Sequence, residues 1–155
     1  MAALKFDESL VRIFDAKNLD TDMVEEELAG VLFRGGYVKE SYAGALRARE
    51  LDFPTALEVP GGISVAVPHC DVEHVNTGAF CVGVLKHPVI WRRMDDAAQT
   101  CPVSLVVMLA LDEAHAHLEM LQKVIGLIQN QELVARVIAC GDAAEAYALL
   151  KDQLG

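Results

Sequence analysis

The sequence lacks an uninterrupted apolar stretch of membrane-spanning length. Its longest apolar run, Cys101 to Leu111, is interrupted by Pro102 and Ser104 and is shorter than the roughly 20 residues that a spanning helix needs. At the start of the chain, acidic residues precede any apolar stretch, which is not the plan of a signal peptide. We therefore expect no insertion into a membrane.

Cysteine pairs of the CxxC type are also absent, although the chain has four cysteines, at positions 70, 81, 101 and 140. A domain of 155 residues can bury enough apolar surface to fold without disulfides. Free thiols are typical of a reducing compartment. Together with the missing signal peptide, the unpaired cysteines predict a cytoplasmic protein.

Basic residues are scarce, because the chain has 13 Lys and Arg but 23 Asp and Glu, a net charge of −10. This balance argues against a nucleic-acid partner, whose phosphates require a basic face, and is compatible with a basic protein partner. The sequence contains no GxSxG, GxxxxGK or GxGxxG motif and no recurring Cys/His spacing of the strong metal-binding type. We therefore expect neither a cofactor nor a metal.

Apolar periodicity predicts one domain over residues 1–155, in which 53 % of the residues are hydrophobic. Strands are predicted over residues 9–14, 63–67, 77–85 and 103–111. Helices are predicted from a capping box of Asp22 and Glu25 to Gly35-Gly36, and over residues 40–51, 117–129, 132–140 and 143–154. Residues 86–100 are predicted to form a loop. This order of elements predicts an α/β or α+β fold with three or four strands.

The segment ISVAVPHC, residues 63–70, places a histidine directly after a predicted strand. Pro68 cannot donate to a sheet ladder, so His69 is the first side chain past the strand end, where α/β folds place their chemistry. The ordinary alternative is a Pro-His turn without function. Cys70 is a weak candidate nucleophile, because neighbouring residues of an extended chain point to opposite sides, and a half-buried thiol is expected instead.

Two other segments carry candidate residues. Arg49-Glu50 ends a predicted helix shortly before Pro54-Thr55, and His115 and His117 follow the most apolar strand. Because the ends of parallel strands meet at one edge of a sheet, His69 and His117 are expected to lie close together. A metal site built from these histidines, with Cys70 and His74, is the less favoured interpretation, since the ligand spacing is not of a recognised kind.

A neutral imidazole nitrogen can accept a phosphoryl group and release it again. Such a site needs position, a cation near the phosphoryl oxygens and a second hydrogen-bond donor. Arg49 can supply the cation, His117 a hydrogen bond and Thr55 a hydroxyl group. The ordinary alternatives are a surface ion pair for Arg49, a half-buried helix start for His117 and a cap for Thr55.

Three patterns in this order form a resemblance: RE-x3-PT at residues 49–55, VAVPHC at 65–70 and HLEML at 117–121. From about residue 9 to residue 149, the chain resembles a IIA component of the bacterial phosphoenolpyruvate-dependent sugar phosphotransferase system, of the fructose/mannitol class. The segment from Ala48 to Thr55, and His74 four residues after PHC, are similar to galactitol-type IIA proteins.

The resemblance implies an α/β fold of the mannitol IIA type, with a mixed, mostly parallel β-sheet flanked by helices. It implies that His69 takes a phosphoryl group from the histidine phosphocarrier protein and passes it to a cysteine of a IIB component, while a membrane IIC component moves the sugar. Arg49 matches the arginine that supports the phosphoryl group, and His117 matches the second active-site histidine. Glu50 and Thr55 belong to the same motif.

Two alternatives of another class remain beside transport. Nitrogen-regulatory IIA relatives use the same histidine to control other proteins. A binding protein that has kept the fold without phosphorylation is the third hypothesis, since a fold does not fix a function.

Overall fold

The computed structural model describes residues 5–112 and 116–154, without the side chains of residues 116 and 117. In chain order, these residues form β1 (Val11–Phe14), α1 (Thr21–Arg34), α2 (Tyr42–Asp52), β2 (Ala56–Leu57), β3 (Ser64–Ala66), β4 (Ala79–Arg92), β5 (Thr100–Ala110), α3 (Ala116–Gln129), α4 (Gln131–Ile138) and α5 (Ala143–Leu154). Short 3-10 turns precede β1 and follow β3. None of the helices in these ranges has the length and hydropathy of a membrane-spanning helix.

The strands form one mixed sheet in the order β1-β4-β5-β3-β2. The pairs β1–β4 and β3–β5 are parallel, whereas β4–β5 and β2–β3 are antiparallel. Strands β1, β2 and β4 therefore run in one direction, and β3 and β5 in the other. The predicted mixed sheet with flanking helices is confirmed. Because β3 and β5 are parallel neighbours, their carboxyl ends lie at the same edge of the sheet, as the sequence predicted.

Helices cover both faces of the sheet. Successive residues of β4 point to opposite faces, so Cys81 packs with α1 and α2, whereas Val82 packs with α3, α4 and α5. In β5, Met108 and Leu109 divide in the same way. Burial on both faces explains why β5 is apolar at nearly every position instead of alternating.

The capping box predicted from Asp22 and Glu25 is wrong. Helix α1 begins two residues earlier, where the Asp20 side chain accepts a hydrogen bond of 2.8 Å from the amide of Met23. Asp22 lies in the first turn, and Glu25 is buried. The predicted stop is confirmed, because Gly35 caps α1 and Gly36 takes a φ of 81° that glycine tolerates without strain.

The loop predicted over residues 86–100 is also wrong in its first half. Strand β4 continues to Arg92, across a register shift between Val84 and Val89. Pro88 lies within this irregularity, where the ladder does not require an amide donor. The charged residues and the proline of this segment led to the prediction of a loop, although the strand carries a fully buried residue, Trp91. The two-residue strand β2 was not predicted, since it is too short to show a periodicity.

Candidate active site

His69 stands just beyond the carboxyl end of β3, on a segment held from both sides. The amide of Val67 donates to the carbonyl oxygen of Thr55 at 3.1 Å, and the amide of Leu109 donates to the carbonyl oxygen of Pro68 at 2.9 Å. These bonds join the segment to the chain before β2 and to the end of β5. The backbone that carries His69 is therefore fixed by two neighbouring elements.

The imidazole of His69 is half-buried, and one of its nitrogens has a defined role. Its Nδ1 lies 2.8 Å from the carbonyl oxygen of Val67. A carbonyl oxygen can only accept, so Nδ1 carries the proton and the lone pair of the neutral ring is on Nε2. The group that fixes the tautomer, which the sequence does not reveal, is thus a backbone carbonyl two residues earlier. Nε2 is therefore the nitrogen of His69 that can act as a nucleophile.

Arg49 lies in the last turn of α2 and lines the same pocket as His69. Its Nη1 is 3.8 Å from a carboxylate oxygen of Asp71, and its Cζ is 5.4 Å from the centroid of the Phe53 ring. Its Nε is buried and has no hydrogen-bond partner among the described residues. The structure therefore places a cation beside the histidine, as the phosphoryl-transfer interpretation requires.

Glu50 and Thr55 are directed toward each other and are both buried. The Glu50 carboxylate accepts bonds of 2.8 Å from the amide and from the hydroxyl group of Thr55, and one of 3.1 Å from Nε1 of Trp91. The Thr55 hydroxyl, considered above as a donor to phosphoryl oxygens, donates to Glu50 in this structure. These bonds connect the end of α2, which carries Arg49 and Glu50, to Thr55. The carbonyl oxygen of Thr55 in turn accepts the hydrogen bond from the amide of Val67.

Two other histidines are placed by the structure relative to His69. His117 lies in the first turn of α3, which follows β5 at the edge of the sheet where β3 also ends; its side chain is outside the described part of the structure, as is the whole of His115. His74 lies in the 3-10 turn after His69, where its Nδ1 is 2.8 Å from the hydroxyl of Ser41. The structure thus brings the backbone of His117 and the side chains of Arg49 and His69 to one region.

The environment of Cys70 disfavours its thiolate form. Its side chain is buried, and burial together with the Asp71 carboxylate, against a smaller opposing effect of Arg49, raises the pKa of the thiol to about 12. A thiol with that pKa holds its proton at neutral pH, and the thiolate is the reactive form. Within residues 5–112 and 116–154, no three His, Cys, Asp or Glu residues are grouped as metal ligands.

A pocket of about 760 Å³ lies beside His69. Its charged rim is formed by Arg49, Asp71 and Glu73, and its walls are mainly apolar. The apolar side chains come from β2, the end of β5 and α3, and include Leu57, Leu109, Leu111, Leu121, Val124 and Ile125. Val72, Met94, Leu121 and Ile125 expose more than a third of their surface. The histidine therefore opens onto an apolar surface of the kind that protein partners cover.

Two residues of the site were missed from the sequence, Asp71 and Trp91. Trp91 lay in the segment predicted to be a loop. Asp71 follows His69 by two residues, and on an extended chain this spacing puts two side chains on the same side. That spacing is the signal that would have predicted Asp71.

The fold and the site can be compared with known proteins. The model of the family described as phosphoenolpyruvate-dependent sugar phosphotransferase system, EIIA 2, matches residues 5–153. The chain is 27 % identical over 120 residues to the galactitol-specific EIIA component of Escherichia coli (strain K12), an alignment that covers 77 % of this chain and 79 % of that protein.

Solved structures show the same architecture. The fold is similar to that in a complex of enzyme IIAMTL and phosphorylated enzyme IIBMTL from Escherichia coli, with a TM-score of 0.76 and 21 % identity over 96 % of this chain and 99 % of that one. It is also similar to nitrogen regulatory protein IIA-Ntr from Neisseria meningitidis, with a TM-score of 0.67 and 23 % identity over 93 % and 94 % of the two chains. These likenesses confirm the mannitol-type IIA fold. Since the family model spans nearly the whole chain, this protein belongs to the EIIA type 2 family of the phosphoenolpyruvate-dependent sugar phosphotransferase system.

Proposed function

We propose that this protein accepts a phosphoryl group from the histidine phosphocarrier protein on Nε2 of His69 and passes it to a cysteine of a IIB component during the uptake of a galactitol-like polyol or a related sugar. The observation that carries the proposal is the bond from Nδ1 of His69 to the carbonyl oxygen of Val67, which puts the lone pair on Nε2. The guanidinium of Arg49 lines the same pocket.

The first transfer uses this lone pair directly. Nε2 attacks the phosphorus of the phosphorylated carrier, a P–N bond forms on His69, and the electron pair of the breaking P–N bond returns to the carrier's imidazole. The Val67 carbonyl keeps its bond to the Nδ1 proton and stabilises the positive charge that the ring gains. Arg49 offsets the charge of the phosphoryl oxygens.

The second transfer reverses the chemistry on His69. The thiolate of the IIB cysteine attacks the phosphorus, a P–S bond forms, and the electron pair of the P–N bond returns to Nε2. A IIB partner is supported by the related enzyme IIAMTL, whose structure was solved with phosphorylated IIBMTL. The apolar surface around the pocket offers such a partner a docking face. A membrane IIC component would then be reached only indirectly.

The other motif residues take different parts in this proposal. Glu50 and Thr55 position Arg49 and the Val67 carbonyl, because their hydrogen bonds are made to each other and to Trp91. His117 supplies the second hydrogen bond to the phosphoryl group. This role is supported by the family resemblance and by the place of His117 at the start of α3.

Intact-mass measurement tests the assignment of His69. The purified protein is incubated with phosphoenolpyruvate, enzyme I and the histidine phosphocarrier protein, beside the His69→Ala and His74→Ala variants. We expect one added phosphoryl group, labile to acid, on the wild type and on His74→Ala, and none on His69→Ala. A phosphoryl group on His69→Ala would overturn the proposal.

The role of His117 and the transport function have a second test. Mixing the phosphorylated protein with a IIB component should move the group to the IIB cysteine, and more slowly from His117→Ala than from the wild type. Unchanged transfer from His117→Ala would remove His117 from the mechanism. A phosphoprotein that delivers its group to no IIB component encoded beside it would favour the regulatory function of the nitrogen-regulatory relatives.

A further inference from the structure

Arg49 already has an anionic partner before any phosphoryl group arrives. Its Nη1 lies 3.8 Å from Oδ1 of Asp71, and the two side chains are 37 % and 71 % exposed. Asp71 is separated from His69 by one residue, and all three side chains line the same pocket. The cation that would hold the phosphoryl group is thus paired with a carboxylate of the same loop.

We propose that Asp71 competes with the phosphoryl group for Arg49, and that this competition keeps the phosphohistidine at a high transfer potential. The inference rests on the proposed function and extends it to the equilibrium between carrier and protein. A phosphoryl group on Nε2 brings close to two negative charges into a pocket that already holds the Asp71 carboxylate. Each anion weakens the hold of Arg49 on the other, so the phosphorylated state is less stable than it would be without Asp71.

The geometry of Arg49 suits an exchange of partners. Asp71 contacts one nitrogen of a guanidinium that has five N–H donors. The Phe53 ring, 5.4 Å from Cζ, holds the head of the side chain in place whichever anion it pairs with. An exposed ion pair at 3.8 Å is also weak, so the Asp71 contact does not prevent the phosphoryl group from entering.

The charge balance at Cys70 supports this placement. The thiol lies between His69 and Asp71 in the chain, and its pKa is raised first by burial and then by the Asp71 and Glu73 carboxylates, and is lowered by Arg49. The charges of the rim therefore act on the loop that carries the histidine. A relay benefits from such a carboxylate, because a phosphoryl group that is bound too firmly would not pass on to the next acceptor.

The equilibrium constant for exchange with the carrier is the quantity that tests the proposal. The wild type, Asp71→Asn, Asp71→Glu and Asp152→Asn are each mixed with phosphorylated carrier protein, and the phosphorylated fractions of both proteins are read by intact mass at equilibrium. Asp152→Asn is the matched control, since it removes one exposed carboxylate on α5.

We expect Asp71→Asn to shift the equilibrium toward the phosphorylated protein by roughly threefold to tenfold, the effect of removing one charge near a dianion in a mostly aqueous site. Asp71→Glu, which keeps the charge, should stay near the wild type, and raising the ionic strength should reduce the shift. An Asp71→Asn variant that matches Asp152→Asn, or shifts toward the carrier, would overturn the inference.

The two proposals fail in different ways. If the wild type accepts no phosphoryl group from the carrier, the proposed function fails and the role of Asp71 fails with it. If the wild type is phosphorylated and Asp71→Asn has the same equilibrium constant, only the role of Asp71 is lost. Circular dichroism of each variant verifies that an altered equilibrium does not come from unfolding.

Discussion

Two buried glutamates beside the site, Glu25 on α1 and Glu50 on α2, show how neighbours decide the charge of a carboxyl group. Glu50 accepts three hydrogen bonds and donates none, which is the role of a carboxylate. The oxygens of Glu25 are fully buried and have no hydrogen-bond partner in the described part of the chain. Burial, followed by the interactions with Glu50 and the charge of Asp22, raises the pKa of Glu25 to about 10, against a lowering by Arg47.

The difference teaches that burial alone does not decide whether a carboxyl group is ionised. Burial and the neighbouring Glu50 favour the protonated form of Glu25, whereas three donors are directed at the oxygens of Glu50. The hydrogen-bonded member, Glu50, connects the end of α2, which carries Arg49, to Thr55. Glu25, which is buried without a hydrogen-bond partner among the described residues, lowers the stability of the fold.

Removing the Glu50 carboxylate should have the largest effect. Glu50→Ala leaves three buried donors, on Thr55 and Trp91, without an acceptor, and each such group costs about 1–3 kcal/mol. We expect the free energy of unfolding, measured in urea, to fall by at least about 3 kcal/mol. Asp52→Ala, an exposed carboxylate in the same turn of α2, is the control and should change little. Equal losses in the two variants would contradict the positioning role of Glu50.

Raising the pH should lower the free energy of unfolding through the titration of Glu25. The pKa of Glu25 is about 10 in the folded protein against an ordinary value of 4.5, so between these values the folded state keeps a proton that the unfolded chain has released. The contribution of Glu25 is therefore complete below pH 4.5 and is lost as the pH rises toward 10. The slope is at most about 1.4 kcal/mol per pH unit.

The Glu25→Gln variant isolates this slope, because glutamine does not titrate. We expect the free energy of unfolding of the wild type to fall more steeply from pH 5 to pH 8 than that of Glu25→Gln, by about 1 kcal/mol per pH unit. Glu26→Gln, the exposed neighbour on α1, should keep the wild-type slope. Parallel curves for the wild type and Glu25→Gln would show that Glu25 is ionised in the folded protein.

The sequence does not show that Glu25 and Glu50 differ in their hydrogen-bond partners. Glu25 stands in a run of three glutamates, and a helix start predicted two residues too late made it a capping residue. The helices and the strand ends that carry His69 and Arg49 were predicted, because apolar periodicity and Pro68 act locally. Trp91 reaches Glu50 from 41 positions away, in the half of β4 that was predicted to be a loop, so no local pattern indicated it. The Val67 carbonyl and the Thr55 hydroxyl have partners two and five residues away, but the backbone conformation, not a residue pattern, decides which partner each takes.

Thr55→Val tests how much a single hydroxyl group contributes to the hydrogen bonding of Glu50. Valine has nearly the same shape but cannot donate to Glu50, so we expect the free energy of unfolding to fall by about 1–2 kcal/mol. Because the hydroxyl is bonded to Glu50, the equilibrium of phosphoryl exchange with the carrier should change less than twofold. Thr55→Ser keeps the donor and should retain most of the stability. A large change in that equilibrium with unchanged stability would instead mean that the hydroxyl contacts the phosphoryl group.

Trp91→Phe should have the smallest effect. Phenylalanine fills most of the buried space but removes the indole donor, which leaves Glu50 with the two donors of Thr55. We expect a loss of about 1 kcal/mol in the free energy of unfolding, followed by circular dichroism because the variant has no tryptophan. In a double variant with Glu50→Gln, the two losses should not add, since both changes act on the same hydrogen bond. Full additivity would mean that the indole and the carboxylate stabilise the protein independently, and the network that holds Arg49 would then end at Thr55.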